Sequence, residues 1–326
     1  MILVAILAAY AGWTWRGKLS AFAGRIAAIG GAPHAATPPP QPSSTVTALT
    51  SPDPTDAGGA ATGPYYGEAS TSASVFTRVA TTAVPEFQSE EYLVRDITGG
   101  VDIAARNENV RWPTASITKL MTATLVLDYL PMDTRITITP QMAAVDPAQS
   151  VLKVNGTYTV QDLLHAMLMP SNNVAAEAVA DYYGYDKFMT EMNARAASWG
   201  MTNTHFENPS GLSSANESDA HDLAILATHV YDDYPTILSF SDTPSYVITN
   251  LATGAQTTIR SINQFAGQPD FVGGKTGYIP ESQNNLLSIF RVDGKPVLIV
   301  VLGTDSLADW FPDTTKLLNW FTMNYK

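Results

Sequence analysis

The run Ile117–Leu130, ITKLMTATLVLDYL, constrains this chain more than any other stretch. Read as a helix, it is apolar nearly all the way round, and a helix of that kind is buried rather than laid on a surface. Yet it carries Lys119, one of only eight lysines in 326 residues. Pro113-Thr114 just before it is a helix-start signal, with Thr114 in the N-cap position. Ser116 then falls in the first turn and Lys119 one turn later. Residues i and i+3 of a helix are neighbours on one face. The backbone N–H of Ser116 belongs to the unpaired donors of a helix start and is free to serve an oxyanion.

A lysine in that place has two readings. It can snorkel or form a salt bridge. Alternatively, lost solvation lowers its pKa, and the neutral amine acts as general base for the serine hydroxyl. A Ser-x-x-Lys match decides little alone, because the chain holds a second, Ser150/Lys153, in AQSVLKVNGTYTV. There, alternating apolar residues run into Asn155-Gly156, the pattern of an extended segment entering a turn. At a spacing of three in a strand, two side chains point to opposite faces. Ser150 and Lys153 are therefore read as structural.

Two other motifs separate the matches. GGKTG, Gly273–Gly277, holds the only Lys-Thr-Gly of the chain and lies on an expected strand. Its glycines allow another group close to the backbone. Lys275 near Lys119 would depress the first lysine's pKa further and present a cation to an anionic substrate. Alone, it would read as an exposed lysine on a hairpin. Ser171-Asn172-Asn173 lies in a turn between two expected helices, after LLHAMLMP. Ser-x-Asn recurs at Ser214/Asn216, Ser261/Asn263 and Ser282/Asn284. Order and context single out Ser171.

Along the chain, residues 37–74 are dominated by Pro, Ser, Thr, Gly and Ala, too little apolar surface to offset ordering entropy, and read as a disordered linker. From about Val75 the pattern becomes globular. EEYLVRDI and VDIAARN read as a hairpin. Helices are expected over TVQDLLHAML, NNVAAEAVADYYG, KFMTEMNARAASWG and HDLAILATHVYDDY, and a last one over DTTKLLNWFTMNY. Strand-like runs are SYVITN, QTTIRS, DFVGGKTGY, NNLLSIFRV and PVLIVVLG. Hairpins at both ends with helices between predict one sheet whose N- and C-terminal strands pair under a cover of helices. A net charge of −12 argues against nucleic acid as a partner. The absence of cysteine excludes disulfides and thiolate chemistry. The five histidines show no metal-binding spacing, so no metal is expected.

In order, TASITK, MPSNN and GGKTGY resemble the three motifs of the serine penicillin-binding proteins and β-lactamases. More closely, the chain resembles the D-alanyl-D-alanine carboxypeptidases, the low-molecular-mass penicillin-binding proteins. The likeness runs from about Phe76 to Lys326 and takes in RWPTASITKLMTA, LLHAMLMPSNNVAAEAVAD, HFENPSGL, HDLAILA, GGKTGY and KLLNWF. It implies an α/β (α+β), β-lactamase/transpeptidase-like fold, an antiparallel sheet flanked by helices with a helical subdomain. It implies that Ser116 attacks the carbonyl between the last two D-alanines of a peptidoglycan stem peptide, with Lys119 as general base. Ser171 would relay a proton to the leaving D-alanine, and Asn173 would hydrogen-bond the substrate. Lys275 and Thr276, in the Lys275-Thr276-Gly277-Tyr278 run, would bind its carboxylate. The N–H groups of Ser116 and Tyr278 would form the oxyanion hole. β-Lactams would acylate Ser116 as covalent inhibitors. No cofactor is implied.

Departures from the family pattern carry their own expectations. Counting back from KLLNW, the arginine that often assists the substrate carboxylate falls near Trp310, and no arginine follows Arg291. Carboxylate recognition is then left to Lys275 and Thr276. Gln283 stands where the family tends to keep a glycine, which predicts a narrower or more polar cleft. A class A β-lactamase would need Glu-x-x-Leu-Asn between the second and third motifs, and nothing there reads that way. The remaining alternatives are a D,D-endopeptidase cutting peptidoglycan crosslinks and a penicillin-binding sensor with slow turnover.

The implied domains are a hydrophobic leader over 1–36, the linker over 37–74 and a catalytic domain over 75–326. An extracytoplasmic enzyme in the cell envelope, tethered to the membrane through its N-terminus, follows from that order. Residues 2–15 are mostly apolar but shorter than the ~20 residues of a spanning helix. Positive charge follows at Arg16, Lys18 and Arg25, which by itself would hold the downstream chain in the cytoplasm. An envelope location therefore predicts a basic leader upstream of Met1.

Overall fold

The run 295–304 shows how the layers form. In a strand, successive side chains point to opposite faces. Here Val297, Ile299 and Val301 belong to one buried cluster, and Leu298, Val300 and Leu302 to another. A strand apolar on both sides must be covered on both sides. The computed structural model describes residues 74–146, 151–305 and 310–326, except the side chain of Trp310. All lie within the unit Gly67–Lys326. The leader 1–36 and, apart from Ser74, the linker 37–74 lie outside the described residues.

In chain order, β1 (Glu91–Asp96) and β2 (Val101–Arg106) form a hairpin, and β3 (Trp112–Pro113) leads to a 3-10 turn, Ala115–Ile117. There follow α1 (Thr118–Tyr129), β4 (Arg135–Thr137), α2 (Pro140–Ala143), β5 (Thr157–Thr159), α3 (Val160–Leu168), α4 (Asn173–Tyr183) and α5 (Tyr185–Ser198). Then come β6 (Glu217–Ser218), α6 (Ala220–Asp233), α7 (Pro235–Ser241), β7 (Ser245–Asn250) and β8 (Ala255–Arg260). The chain closes with β9 (Phe271–Ile279), β10 (Gln283–Val292), β11 (Lys295–Thr304) and α8 (Trp310–Asn324).

Five strands make one antiparallel sheet in the order β2-β1-β11-β10-β9. The first and last strands pair, with Glu91 opposite Leu302 and Asp96 opposite Val297. This is the closure expected from the two terminal hairpins, and the α+β class stands. One face carries α8, through Leu317, Trp320 and Phe321. The other face carries the helical region, whose centre is α1, buried from Thr118 through Val126. Its Thr122 and Thr124 can be buried because their hydroxyls are satisfied by backbone carbonyls. Thr122 Oγ1 donates to the Pro209 carbonyl at 2.6 Å and Thr124 Oγ1 to the Met121 carbonyl at 2.8 Å.

Two expectations change. β7 and β8 pair only with each other, outside the main sheet. The segment before Lys153 is bent rather than extended, whereas the turn expected at Asn155-Gly156 forms, with Asn155 in the left-handed region at φ 63°. Ser150 lies outside the described residues.

Candidate active site

Strand β9 forms one edge of the sheet and runs beside the 3-10 turn that carries Ser116. The helix start is tighter than expected. Thr114 makes no side-chain cap; its hydroxyl meets Thr118 Oγ1 at 2.8 Å and the Asn216 carbonyl at 3.2 Å. Ala115, just before the serine, is held at φ 47°. A non-glycine residue there costs about 1–3 kcal/mol and persists only where neighbours fix it. Two neighbours do so by close approach. A Cβ on Gly211 would lie 1.9 Å from the Ala115 carbonyl oxygen, and one on Gly277 would lie 2.9 Å from the Thr114 oxygen and 3.3 Å from the Ser116 nitrogen. Only glycine lets both segments clamp the turn. Ser171 also sits in the left-handed region, at φ 62°.

Lys119 is completely buried and its amine has three neighbours. Nζ lies 2.8 Å from Ser116 Oγ, 2.7 Å from Asn173 Oδ1 and 2.5 Å from the Ser210 carbonyl. Burial pushes its pKa down to about 7, against the pull of Glu177 and Asp146. An amide oxygen and a backbone carbonyl only accept, whereas a hydroxyl also donates. A neutral amine that spends its two N–H bonds on Asn173 and Ser210 therefore has its lone pair left for the Ser116 hydroxyl.

Ser171, at the turn between α3 and α4, accepts from Lys275 Nζ at 2.9 Å. Lys275 also donates to the Thr276 carbonyl at 2.8 Å and to Thr276 Oγ1 at 3.3 Å. It too is buried, and desolvation, then the charge of Lys119, holds its pKa well below the ordinary lysine value. Tyr278 lies on the rim with its side chain 54% exposed.

The structure thus brings Ser116, Lys119 and Asn173 together in one hydrogen-bonded group and Ser171, Lys275 and Thr276 in a second, with Gly277 against the turn that carries Ser116. Sequence reasoning missed three members. The Ser210 carbonyl has no side-chain signature. Glu177 follows Asn173 by four residues on α4, a spacing that places both on one face and could have been read. Asp146 accepts from Asn173 Nδ2 at 2.8 Å and had no local signal. Asn173 therefore already uses both ends of its amide within the protein.

Other expectations also meet the structure. Gln283 lies in the left-handed region at φ 53°, which gives a glycine preference there a backbone cause. Trp310 begins α8, and its side chain is not among those described. Asp219, His221 and Asp222 bring three ligand-type atoms within 4.8 Å of one another, a grouping that spacing did not suggest. Asp219 is committed to capping α6 through the Asp222 N–H and to Asn203, and Asp222 to Asn203 and Thr204.

Residues 78–306 match the family described as D-alanyl-D-alanine carboxypeptidase. The chain belongs to that family, and is accordingly a hydrolase. A D-alanyl-D-alanine endopeptidase of Escherichia coli is 34% identical over 75% of this chain and 81% of its own length. Another of Pseudomonas aeruginosa is 35% identical over 72% of this chain and 77% of its own length. Among solved structures, a D-alanyl-D-alanine carboxypeptidase of Mycobacterium tuberculosis superposes with a TM-score of 0.69 at 25% identity, covering 74% of this chain and 94% of that one. A Streptomyces DD-transpeptidase superposes with a TM-score of 0.67 at 28% identity, covering 73% and 98%.

Proposed function

We propose that this chain is a serine D-Ala-D-Ala carboxypeptidase that trims the terminal D-alanine from peptidoglycan stem peptides in the cell envelope. The observation that carries the reading is the environment of Lys119: two partners that can only accept hydrogen bonds, and one serine hydroxyl that can donate. Ser116 Oγ passes its proton to Lys119 Nζ as it bonds to the scissile carbonyl carbon. The oxyanion meets the N–H groups of Ser116 and Tyr278 on the open edge of β9. The C–N bond then breaks, and the leaving amine takes a proton through Ser171. Water completes the cycle by hydrolysing the Ser116 ester. Lys275 and Thr276 receive the terminal carboxylate, whose charge a buried lysine is suited to meet. Penicillins would enter the same path and acylate Ser116.

The test is the full chain incubated with a pentapeptide ending in D-Ala-D-Ala, with Ser116→Ala as control. Release of one D-alanine, abolished in the variant, is the expected result. No release from a folded protein that still binds penicillin covalently would refute it.

A second reading, a D,D-endopeptidase, is favoured by one finding: the relatives at 34% and 35% identity carry that name. Cleavage of purified crosslinked muropeptides with no trimming of pentapeptide would select it. The leader and linker are proposed to tether the enzyme to the membrane. Among the described residues no helix is long and apolar enough to cross one.

A further inference from the structure

We propose that Asp146 and Glu177 are positioning residues for the general base: each holds, through one intermediary, an acceptor that claims an N–H of Lys119 and so turns the amine's lone pair to Ser116. This rests on the serine–lysine reading above. The first intermediary is Asn173. A carboxamide can present either its oxygen or its NH2 to a neighbour, and its surroundings decide which. Asp146 Oδ2 accepts from Asn173 Nδ2 at 2.8 Å, and a carboxylate can do nothing else. The amide oxygen is thereby left facing Lys119 at 2.7 Å. With the amide reversed, its NH2 would compete with Ser116 for the amine's lone pair.

The second intermediary is Ser210. Its hydroxyl donates to Glu177 Oε1 at 2.8 Å, while its carbonyl takes another N–H of Lys119. Glu177 is buried, and Ser210 completely so, which leaves this contact little freedom. Asn173 and Glu177 lie one turn apart on α4, so a single helix face carries both arms. The titratable groups around the lysine are these two carboxylates, the Ser116 hydroxyl and, from β9, Lys275; around Glu177 they are also Tyr185, which hydrogen-bonds it, and Asp181. Burial raises the Glu177 pKa, and Ser210, the Lys119 charge and Tyr185 oppose that shift. The carboxylates have a second effect. Their charges favour the ammonium form and oppose the burial that favours the amine. They keep Lys119 at the border between the two forms near neutral pH.

The two effects separate in a pH profile. The rate of acylation by benzylpenicillin is followed by intact-protein mass from pH 5 to 9, for the parent full chain, Glu177→Gln and Asp146→Asn. An acid limb in the parent reports the deprotonation of Lys119. Glu177→Gln removes a charge but keeps an acceptor for Ser210. Its limb should move to lower pH by about half a unit to one unit, with the plateau kept within a few-fold. Asp146→Asn also frees the Asn173 amide, so its limb should move down and its plateau fall, by about tenfold or more.

A merely structural role would lower the plateau and leave the limb in place. Limbs unmoved in both variants overturn the proposal. Should Glu177→Gln fail to fold, as thermal melting would reveal, Asp146→Asn carries the test from its half-buried turn. If the parent profile has no acid limb, or Ser116→Ala is acylated like the parent, the serine–lysine reading itself fails and takes this proposal with it.

Discussion

Glu91 should make the protein less stable as pH rises, and replacing it should remove that dependence. It lies on β1 opposite Leu302, on the sheet face that carries Leu93. The residue is 1% exposed, and neither carboxyl oxygen has a hydrogen-bond partner of good geometry; the Ala220 N–H near it is at best a weak one. Burial, then the charge of Asp219, pushes its pKa up from 4.5 to about 8, with the nearby Ala220 N–H opposing in part. The folded protein therefore holds a proton that the unfolded chain has released across that window. Stability is unaffected below the unfolded pKa and falls as pH rises from about 4.5 to about 8. At 1.36 kcal/mol per unit, about 3 kcal/mol is lost between pH 4.5 and pH 7. In Glu91→Gln that slope disappears. The amide costs about 1–3 kcal/mol of its own as an unsatisfied buried donor, so the variant should be the weaker at pH 5 and the stronger at pH 8. Urea unfolding at pH 5, 6, 7 and 8 measures both curves. Parallel curves for parent and variant would refute the assignment of a buried neutral carboxyl at this position.

Two further predictions concern the site. Gly277→Ala would place a methyl group 2.9 Å from the Thr114 oxygen and push β9 from the turn that carries Ser116. Acylation by penicillin should slow by about 10²-fold with the fold intact, measured as labelling rate against melting temperature, and an unchanged rate would mean the clamp is dispensable. Lys275 should take up a proton when a carboxylate-bearing ligand arrives, because burial and Lys119 depress its pKa and an anion restores it. Calorimetry of penicillin binding to Ser116→Ala in buffers of differing ionisation enthalpy should show that uptake near pH 7. Equal heats in all buffers would place Lys275 already charged in the free enzyme.

Where periodicity carried the signal, the sequence was enough. SYVITN is β7 residue for residue, and the expected helix Ile117–Leu130 differs from α1 by one residue at each end. Pairing of the first strand with the last followed from two hairpins having only one sheet to join. Where the outcome depended on tertiary partners, local signals misled. Thr114 has the composition of an N-cap, yet its hydroxyl is taken by Thr118 and Asn216, and the entry tightens to a 3-10 turn. The alternation around Lys153 suggested an extended segment, yet Val151 and Leu152 already bend, and only the turn at Asn155-Gly156 is as expected. The motif serines and lysines were legible because side-chain chemistry identifies them. The Ser210 carbonyl was not, since every residue has one, and Asp146 is brought to Asn173 only by folding.

The relatives and structural neighbours carry three names for one architecture: carboxypeptidase, endopeptidase and transpeptidase. On the serine mechanism proposed above, these outcomes would share the step in which Ser116 takes the acyl group and would differ in what leaves and what accepts. In this chain the two lysines proposed to serve that step are buried and committed: Lys119 to Ser116, Asn173 and Ser210, and Lys275 to Ser171 and Thr276. They have little freedom with which to choose a leaving group. The exposed positions lie one or two steps outward. Leu212 follows Gly211, Tyr278 follows Gly277, and the Ile262 N–H bonds to the carbonyl of Met169, two residues before Ser171. All three are large, apolar or aromatic, and open to solvent by 40%, 54% and 51%. Each is attached to a segment that carries or touches a group of the proposed site. A single D-alanine has only a methyl group to meet them, whereas the far peptide of a crosslink has a chain. On this reading, substitution of Leu212 or Ile262 should redistribute activity between pentapeptide and crosslinked muropeptide, and an unchanged ratio in both variants would refute it.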